Sequence, residues 1–361
     1  MKICIWITKI FDLGGTKRVV SLLANELVKE HEVTIMTYED RFREDRTMYH
    51  LSEDINVDFI DNSQFVNKHH TPAFCARYLV KKLNDRSGMF NKKSLNPILA
   101  EAIFPQKTRE KWVEYFNSQD YDVILTTASL SLRLAMIAPR LKAATIGWQH
   151  NCYDGYLHVK PVVFWQQENL LQQYLPNLDR YIVLSDYDKR DYMEKLGIDC
   201  EVKINPRSFV SEKKCDVKSK RFLMATRFVY AKGLDLMMES FEEFCKEDSE
   251  WELDIIGDGD LFDQIRADAK KRHLEKRVHF VGYTNEPEKY YLNSSVFLLP
   301  SRWEGWPMVI MEAFEFGLPV IAYHMGAMDL IIDDGKTGFL PEAFDPHKFA
   351  QAMLKLAHDE E

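Results

Sequence analysis

Short apolar segments alternate along the whole chain with longer amphipathic segments. The apolar segments are four to seven residues long, which is typical of strands buried in a sheet. They lie at residues 3–8, 32–38, 57–60, 123–127, 144–148, 180–184, 221–226, 252–257, 278–281, 296–300 and 320–323. Helical spacing of apolar positions predicts helices at residues 15–30, 234–246, 261–272, 307–316 and 346–358. Strands that alternate with helices predict an α/β fold built on doubly wound parallel sheets.

The strand–helix pattern occurs once in each half of the chain. A length of 361 residues also favours two domains, so we expect two Rossmann-like halves. The turn at Asn205-Pro206-Arg207 and the polar stretch 211–220 form the predicted linker, which gives domains at 1–205 and 206–361. Because ligands bind beyond the carboxyl ends of parallel strands, we expect the two domains to face a central cleft that holds the active site.

Bulk properties exclude several classes of protein. The formal net charge of −9 argues against nucleic-acid binding, and no apolar run is long enough for a transmembrane helix. The first residues lead directly into a predicted strand and lack the features of a signal peptide. The six cysteines are scattered and include no C-x-x-C pair, which favours reduced thiols in a cytoplasmic protein over a disulfide framework or a zinc site.

One segment departs from the acidic average. Residues 81–111 contain eight Lys or Arg against three acidic residues, with apolar residues interleaved (Met89, Phe90, Ile98, Leu99, Ile103 and Phe104). One interpretation is a peripheral contact with anionic membrane. The alternative is a solvated helical hairpin.

The segment Glu304-Gly-Trp-Pro-Met-Val-Ile-Met-Glu312 carries the most specific chemical signal. Pro307 suits the first position of a helix, and Gly317 followed by Pro319 suits its end. Glu304 then lies in the loop after a strand, and the backbone N–H groups of residues 305–308 can bind phosphate or sugar oxygens. A carboxylate such as Glu312 can accept hydrogen bonds from a vicinal diol. The alternative is a capped helix with two surface glutamates.

This spacing resembles the E-x7-E motif of retaining glycosyltransferases with the GT-B fold, in particular glycosyltransferase family 4. Two further segments agree. Arg227 and Lys232 follow the strand at 221–226 and resemble the cation pair that holds the donor diphosphate in the family. His150 ends the strand at 144–148, where the family often places a histidine that faces the donor sugar.

The resemblance extends to glycine-containing turns, with departures. Gly257 ends one strand, Gly282 and Tyr283 end the strand expected to meet the uracil ring, and Gly14-Gly15 follows the first strand. The residues after Gly15 read Thr16-Lys17-Arg18, where the family usually has Ala-Glu-Arg. Asp329 stands where the family has Glu; the alternative to ligand contact is that it caps the following helix.

The resemblance implies a specific site. Its catalytic residues would be Glu304, His150, Arg227 and Lys232. Its donor-binding residues would be Gly14, Gly15, Arg227, Lys232, Gly257, Gly282, Tyr283, Glu304, Gly305, Trp306, Pro307, Met308 and Glu312. No metal ion or other cofactor is expected, although Asp258 and Asp260 could also be interpreted as a metal pair.

The implied reaction is transfer, with retention of configuration, of a hexose or N-acetylhexosamine from a UDP-sugar. The expected acceptor is a glycan or lipid-linked saccharide in bacterial capsule, exopolysaccharide or lipopolysaccharide assembly. The expected location is the cytoplasm, with peripheral contact at the inner face of the plasma membrane. The alternatives are a nucleotide-sugar 2-epimerase with the same fold and a non-catalytic nucleotide-sugar-binding protein. A dinucleotide-dependent oxidoreductase is disfavoured because the third glycine of G-x-G-x-x-G is missing.

Overall fold

The computed structural model describes residues 1–61, 63, 65, 71–159 and 163–358. The chain divides into two compact units, the first unit Met1–Pro206 and the second unit Arg207–Glu361. The predicted domain boundary lies one residue earlier. Each unit is an α/β structure on a parallel sheet.

The first unit has seven strands among its described residues, arranged in the order β3-β2-β1-β4-β5-β6-β7. The strands are β1 Lys2–Trp6, β2 Glu32–Thr37, β3 Asn56–Phe59, β4 Val123–Thr127, β5 Ala144–Trp148, β6 Arg180–Val183 and β7 Glu201–Val202. The helices are α1 Gly15–Leu27, α2 Pro72–Ser87, α3 Asn96–Ile103, α4 Gln106–Ser118, α5 Ser129–Ile137, α6 Tyr153–Leu157, α7 Glu168–Tyr174 and α8 Asp186–Asp191.

The centre of this sheet explains its continuous apolar segments. Ile5 of β1 lies between Ile35 of β2 and Leu125 of β4, in parallel register with both. Helices cover both faces of such a sheet, so successive side chains are buried on alternate sides. Trp6 packs against Trp112 of α4 with ring centroids 4.6 Å apart.

The second unit has six strands among its described residues, in the order β10-β9-β8-β11-β12-β13. The strands are β8 Arg221–Ala225, β9 Glu252–Ile256, β10 Val278–Gly282, β11 Val296–Leu299, β12 Val320–Ala322 and β13 Gly338–Phe339. The helices are α9 Leu234–Glu247, α10 Phe262–Lys271, α11 Glu288–Leu292, α12 Met308–Glu315 and α13 Pro346–Ala357.

Alternate residues of β8 enter two separate hydrophobic clusters. Phe222 and Met224 pack with residues of α9 and α13, including Phe241 and Phe349. Leu223 packs on the other face with residues of α12, including Ile310. The last helix of the chain therefore packs within its own unit, beside α9.

The predicted fold class, two doubly wound parallel sheets, is confirmed. All eleven predicted strands are present, with ends that differ from the prediction by at most two residues. The sequence interpretation missed β7 and β13, which have two residues each. Pro307 was expected as the first helical residue, but it takes the cap position with ψ of 113°, and α12 begins at Met308.

The basic segment 81–111 spans the end of α2, all of α3 and the start of α4. Its apolar residues divide into two groups. Leu99 and Phe104 are buried in the core, and Phe90 and Ile103 pack against that core. Met89 and Ile98 are exposed. Most of the interleaved apolar residues therefore stabilise the first unit and do not form a surface. Among the described residues, no helix combines the length and the apolar character needed to cross a bilayer.

Candidate functional site

The strand order of the second unit reverses direction between β8 and β11. In open parallel sheets, such a switch point leaves a crevice at the carboxyl ends of the two strands. The loop after β8, residues 226–233, carries Arg227 and Lys232. The loop after β11, residues 300–307, carries Glu304. The sequence-predicted cations and the first motif carboxylate thus follow the two strands that flank the switch point.

An ion pair joins these two loops. The Nζ of Lys232 lies 2.5 Å from Oε1 of Glu304, and the hydroxyl of Ser301 donates to the same oxygen at 2.7 Å. The side chains are only 20% and 10% exposed, so water screens the pair weakly. The sequence placed Lys232 and Glu304 in one site, but it did not predict that they would pair with each other.

The backbones of the two loops touch directly. The N–H of Arg302 donates to the carbonyl of Ala231 at 2.7 Å. Gly233 has φ of 63°, and a Cβ at this position would lie 1.9 Å from the carbonyl oxygen of Pro300. Only glycine permits this approach, and the approach brings Lys232 to Glu304.

The glycine turn after β9 packs against the same 226–233 loop. A Cβ on Gly257 would lie 1.8 Å from the carbonyl oxygen of Thr226, and the N–H of Phe228 donates to the carbonyl of Asp258 at 2.9 Å. The N–H of Gly257 in turn donates to Gly282 at 2.8 Å. The glycine requirement at position 257 thus has a structural cause, besides any contact with a nucleotide. Tyr283 beside Gly282 is exposed.

Arg227 projects from the protein surface. Its side chain is exposed and makes no hydrogen bond or ion pair with other described residues. It therefore differs from Lys232, whose charge is already shared with a carboxylate. An anion bound at the switch point would therefore meet the exposed guanidinium of Arg227 and the ammonium of Lys232, which is already paired with Glu304.

Glu312 is buried in the second turn of α12. The hydroxyl of Ser208 donates to one carboxylate oxygen at 2.8 Å, and the hydroxyl of Tyr291 donates to the other at 3.0 Å. The alternative of a surface glutamate is wrong for Glu312, which is 5% exposed, and for Glu304, which is 8% exposed.

The first residues of α12 and the preceding loop form a compact N-terminus. Gly305, Pro307 and Met308 are buried, whereas Trp306 is half-buried. The first N–H groups of a helix have no partner within the helix, and the helix dipole favours an anion or an oxygen acceptor there. This end of α12 lies next to the Lys232–Glu304 pair, because Glu304 belongs to the same loop.

His150 lies at the carboxyl end of β5 in the first unit. Its ring packs against Trp148 with centroids 4.5 Å apart, and its backbone N–H donates to the hydroxyl of Tyr156 at 3.2 Å. Burial lowers the pKa of His150 to about 3, and the polar side chain of Asn205 opposes this effect only partly. The imidazole is therefore neutral near pH 7 and can donate one hydrogen bond and accept another.

The loop after β1 carries Gly14 and Gly15 and opens α1. The N–H of Gly14 donates to the hydroxyl of Tyr49 at 2.8 Å. The carboxylate of Glu39 accepts from the N–H groups of Ile10 and Phe11 at 2.5 and 2.9 Å. Glu39 holds the backbone of this loop, a role that sequence analysis missed because the contact spans almost thirty residues and has no local motif.

The remaining supporting residues were also missed. Ser208, Tyr291 and Ser301 are hydroxyl donors to the two motif carboxylates. The position of Ser301, three residues before Glu304 at a strand end, is the one local signal that could have identified any of them. Of the residues that the sequence predicted for the site, Gly14, Gly15 and His150 lie in the first unit, and the others lie in the second unit. Among the described residues, no three His, Cys, Asp or Glu side chains converge as a metal site, and Asp258 and Asp260 are both exposed.

Family-level matches cover both units. Residues 13–208 match Glycosyltransferase Family 4, and residues 208–361 match Glycosyl transferases group 1. An uncharacterized glycosyltransferase of Haemophilus influenzae is 26% identical over 246 residues, which are 66% of this chain and 67% of the relative. A UDP-Gal:alpha-D-GlcNAc-diphosphoundecaprenol alpha-1,3-galactosyltransferase of Escherichia coli is 33% identical over 106 residues, which are 29% of this chain and 27% of the relative.

The chain spans little more than a third of two other curated relatives that it matches, 37% and 34% of their lengths. Among solved structures, it is similar to a point mutant of S. aureus TarM in complex with fondaparinux, alpha-GlcNAc-glycerol and UDP. The TM-score is 0.75 at 15% identity, over 99% of this chain and 93% of that chain. At this identity the likeness establishes the fold, which is GT-B.

The neutral state of His150 predicts a pH dependence of stability. Because its pKa is about 3 in the folded state and about 6.5 in the unfolded chain, the unfolded state binds one more proton between these values. Stability is therefore lost as pH falls from about 6.5 toward 3, by at most ~1.4 kcal/mol per pH unit. We expect His150→Gln to flatten this slope in urea unfolding, whereas a matched change of the exposed His158 should leave it intact. An equal slope in both variants would contradict the assignment.

A double-mutant cycle tests the ion pair. Glu304→Gln and Lys232→Met should each destabilise the second unit, and the double variant should be less destabilised than their sum, with a coupling energy of about 1–3 kcal/mol. The exposed pair Lys336–Asp333, at 2.8 Å, is the control, and its coupling energy should be clearly smaller because water screens it. Equal coupling in the two cycles would show that Lys232 and Glu304 do not form a buried pair in solution.

Proposed function

Because the chain belongs to glycosyltransferase family 4, we propose that it is a retaining glycosyltransferase. The donor is a UDP-sugar that carries a hexose or N-acetylhexosamine. The acceptor is a glycan or lipid-linked saccharide in the assembly of a bacterial surface polysaccharide. The observation that carries the proposal is the Lys232–Glu304 pair at the switch point, with the exposed Arg227 in the same loop as Lys232 and the N-terminus of α12 in the same loop as Glu304.

Two of the compared proteins support this choice of substrates. The E. coli relative uses UDP-galactose and an acceptor on diphosphoundecaprenol, as its name states. The TarM structure contains UDP together with saccharides. The basis for uridine and for a saccharide acceptor in this chain is this analogy, together with the chemistry of the site.

The second unit would hold the donor. Arg227 and Lys232 bind the diphosphate and offset the negative charge that develops on the leaving oxygen. Glu304 and the N–H groups that follow it bind sugar hydroxyls. Glu312 accepts from the ribose hydroxyls, and the turns at Gly257 and Gly282-Tyr283 lie against the base. This division of roles needs no metal ion or other cofactor.

The first unit would hold the acceptor, with His150 against the donor sugar and Gly14-Gly15 near the donor phosphates. A neutral imidazole suits this position, because it can donate a hydrogen bond to a sugar oxygen without adding a positive charge. The acceptor oxygen bonds to the anomeric carbon on the face from which the diphosphate leaves, and the departing phosphate oxygen takes the acceptor's proton. The configuration at the anomeric carbon is therefore retained. Catalysis then consists of positioning and charge stabilisation.

Two alternatives make different demands. A nucleotide-sugar 2-epimerase would act without an acceptor and would need acid and base groups beside the sugar C2. A non-catalytic nucleotide-sugar-binding protein would bind the donor without turnover. If UDP is released from a UDP-sugar only when a saccharide acceptor is added, this result would favour the transferase over both alternatives.

Glu312→Gln tests the donor site. The change keeps the shape of the side chain but removes its charge, and hydrogen bonds to a charged group contribute roughly 1.5–3 kcal/mol. We therefore expect UDP to bind about 10- to 150-fold more weakly by calorimetry. Wild-type protein should prefer UDP over GDP, ADP and NAD.

The control is Glu315→Gln on the same helix. Glu315 accepts from the backbone of Ser211 at 2.8 Å and pairs with Arg207, so it shares the burial and the linker contacts but is not proposed to touch the nucleotide. UDP affinity should be unchanged in this variant. Equal affinity in wild type and Glu312→Gln would rule out the ribose contact, and preference for NAD would rule out the transferase.

We also propose a peripheral membrane contact through α2. Tyr78, Leu79 and Leu83 of this helix are 59%, 55% and 36% exposed, and they repeat at helical spacing. Lys81, Lys82 and Arg86 are exposed on the same helix, and Met89 follows it. Exposed apolar side chains interleaved with cations match the chemistry of an anionic lipid surface. The contact therefore centres on 78–89 and does not extend over the whole segment 81–111.

Sedimentation with phosphatidylglycerol vesicles tests this contact. Binding should fall steeply between about 0.05 M and about 0.5 M salt, and the double change Lys81→Glu and Lys82→Glu should abolish it. The matched control, Lys270→Glu with Lys271→Glu on α10, makes the same charge change in the second unit. Cys75, one turn before Leu79, is an exposed thiol for an environment-sensitive dye. If the protein does not bind the vesicles, or if the two double variants lose binding equally, the result would favour the alternative in which α2 is surrounded by water.

A further inference from the structure

Two aromatic rings and an arginine cluster beside the Lys232–Glu304 pair. The rings of Tyr230 and Trp303 lie 6.0 Å apart at 55°, and the guanidinium of Arg302 lies 4.0 Å from the centre of the Tyr230 ring. Tyr230 is 61% exposed, and Trp303 is half-buried. Neither ring is part of the Lys232–Glu304 ion pair, and neither Tyr230 nor Trp303 is one of the motif residues that identified the site.

The cluster is held rigidly. Arg302 makes two hydrogen bonds with the carboxylate of Asp235, at 2.8 and 2.6 Å, and a third with the carbonyl of Tyr230 at 2.9 Å. Donation of hydrogen bonds to the Asp235 carboxylate raises the pKa of Arg302, so the guanidinium keeps its charge at every accessible pH. A fixed planar cation therefore supports one face of Tyr230. Despite this contact, the Tyr230 side chain remains 61% exposed.

The chain places this cluster next to the proposed chemistry. Tyr230 precedes Lys232 by two residues, and Trp303 directly precedes Glu304. The hydrogen bond from Arg302 to Ala231 fixes the two loops against each other. The buried ion pair, the exposed Tyr230 and the half-buried Trp303 thus belong to one pair of loops at the switch point of the second sheet.

A pyranose ring has a flat face of C–H groups and an edge of hydroxyls. A preordered aromatic ring offers a matching apolar surface and loses little conformational entropy on contact. We infer that Tyr230 and Trp303 form a stacking platform for a pyranose ring of the saccharide substrates. This inference rests on the proposed function. The exposure of the rings, outside the buried pair that faces the donor, favours a ring of the acceptor over the sugar of the donor.

Trp303 supplies the probe for a direct test. Protein with 5-fluorotryptophan gives one fluorine resonance per tryptophan, and Trp303→Phe assigns the resonance of Trp303. The other six tryptophans are internal controls. With UDP present, the methyl α-glycosides of glucose, galactose and N-acetylglucosamine are added in turn; UDP-glucose, UDP-galactose and UDP-N-acetylglucosamine are then compared with UDP alone.

We expect at least one methyl glycoside to shift the Trp303 resonance in the presence of UDP. Tyr230→Ala should weaken that binding roughly 2- to 12-fold, and Tyr230→Phe, which keeps the ring, should restore it. A shift by a UDP-sugar beyond that by UDP, without any shift by the glycosides, would support stacking and assign the ring to the donor. No shift by any saccharide, or a shift that UDP alone reproduces, would overturn the platform.

Calorimetry with UDP separates this inference from the function on which it rests. Tyr230→Ala should leave the affinity for UDP unchanged, because the platform contacts a sugar ring and not the nucleotide. If wild-type protein binds UDP but Trp303 responds to no saccharide, only the platform fails. If wild-type protein does not bind UDP, the proposed donor site fails.

Discussion

The candidate site depends on a steric constraint at two glycines. At Gly233 and Gly257, a side chain would collide with the carbonyl of Pro300 or of Thr226, so the loops after β8, β9 and β11 pack backbone against backbone. This packing leaves no room for a water layer between the loops, and it brings Lys232 within 2.5 Å of Glu304. The ion pair is thus a consequence of loop packing, and its low exposure follows from the same cause. Glycine at these positions is required by the fold, whatever ligand the loops bind.

The charges of the site are arranged asymmetrically. Lys232 shares its charge with Glu304, whereas Arg227 is exposed and has no partner among the described residues. A diphosphate that bound here would meet a full positive charge at Arg227 and a positive charge already offset at Lys232. Glu304 can still accept hydrogen bonds, because only part of its lone-pair capacity is used by Lys232 and Ser301. The pair therefore offers a cation to phosphate and an acceptor to sugar hydroxyls from one fixed location.

The sequence predicted the strands well because buried parallel strands are continuous apolar runs, and β7 and β13 were missed because two residues form no such run. The motif residues could also be placed, since the carboxyl ends of strands share one edge of a sheet. The contacts that support them could not be predicted. Ser208 and Tyr291 reach Glu312 from 104 and 21 residues away, and such contacts have no local signal. The pattern in 81–111 was misleading for a similar reason: an apolar residue between lysines looks the same whether it faces lipid or, like Leu99 and Phe104, the core.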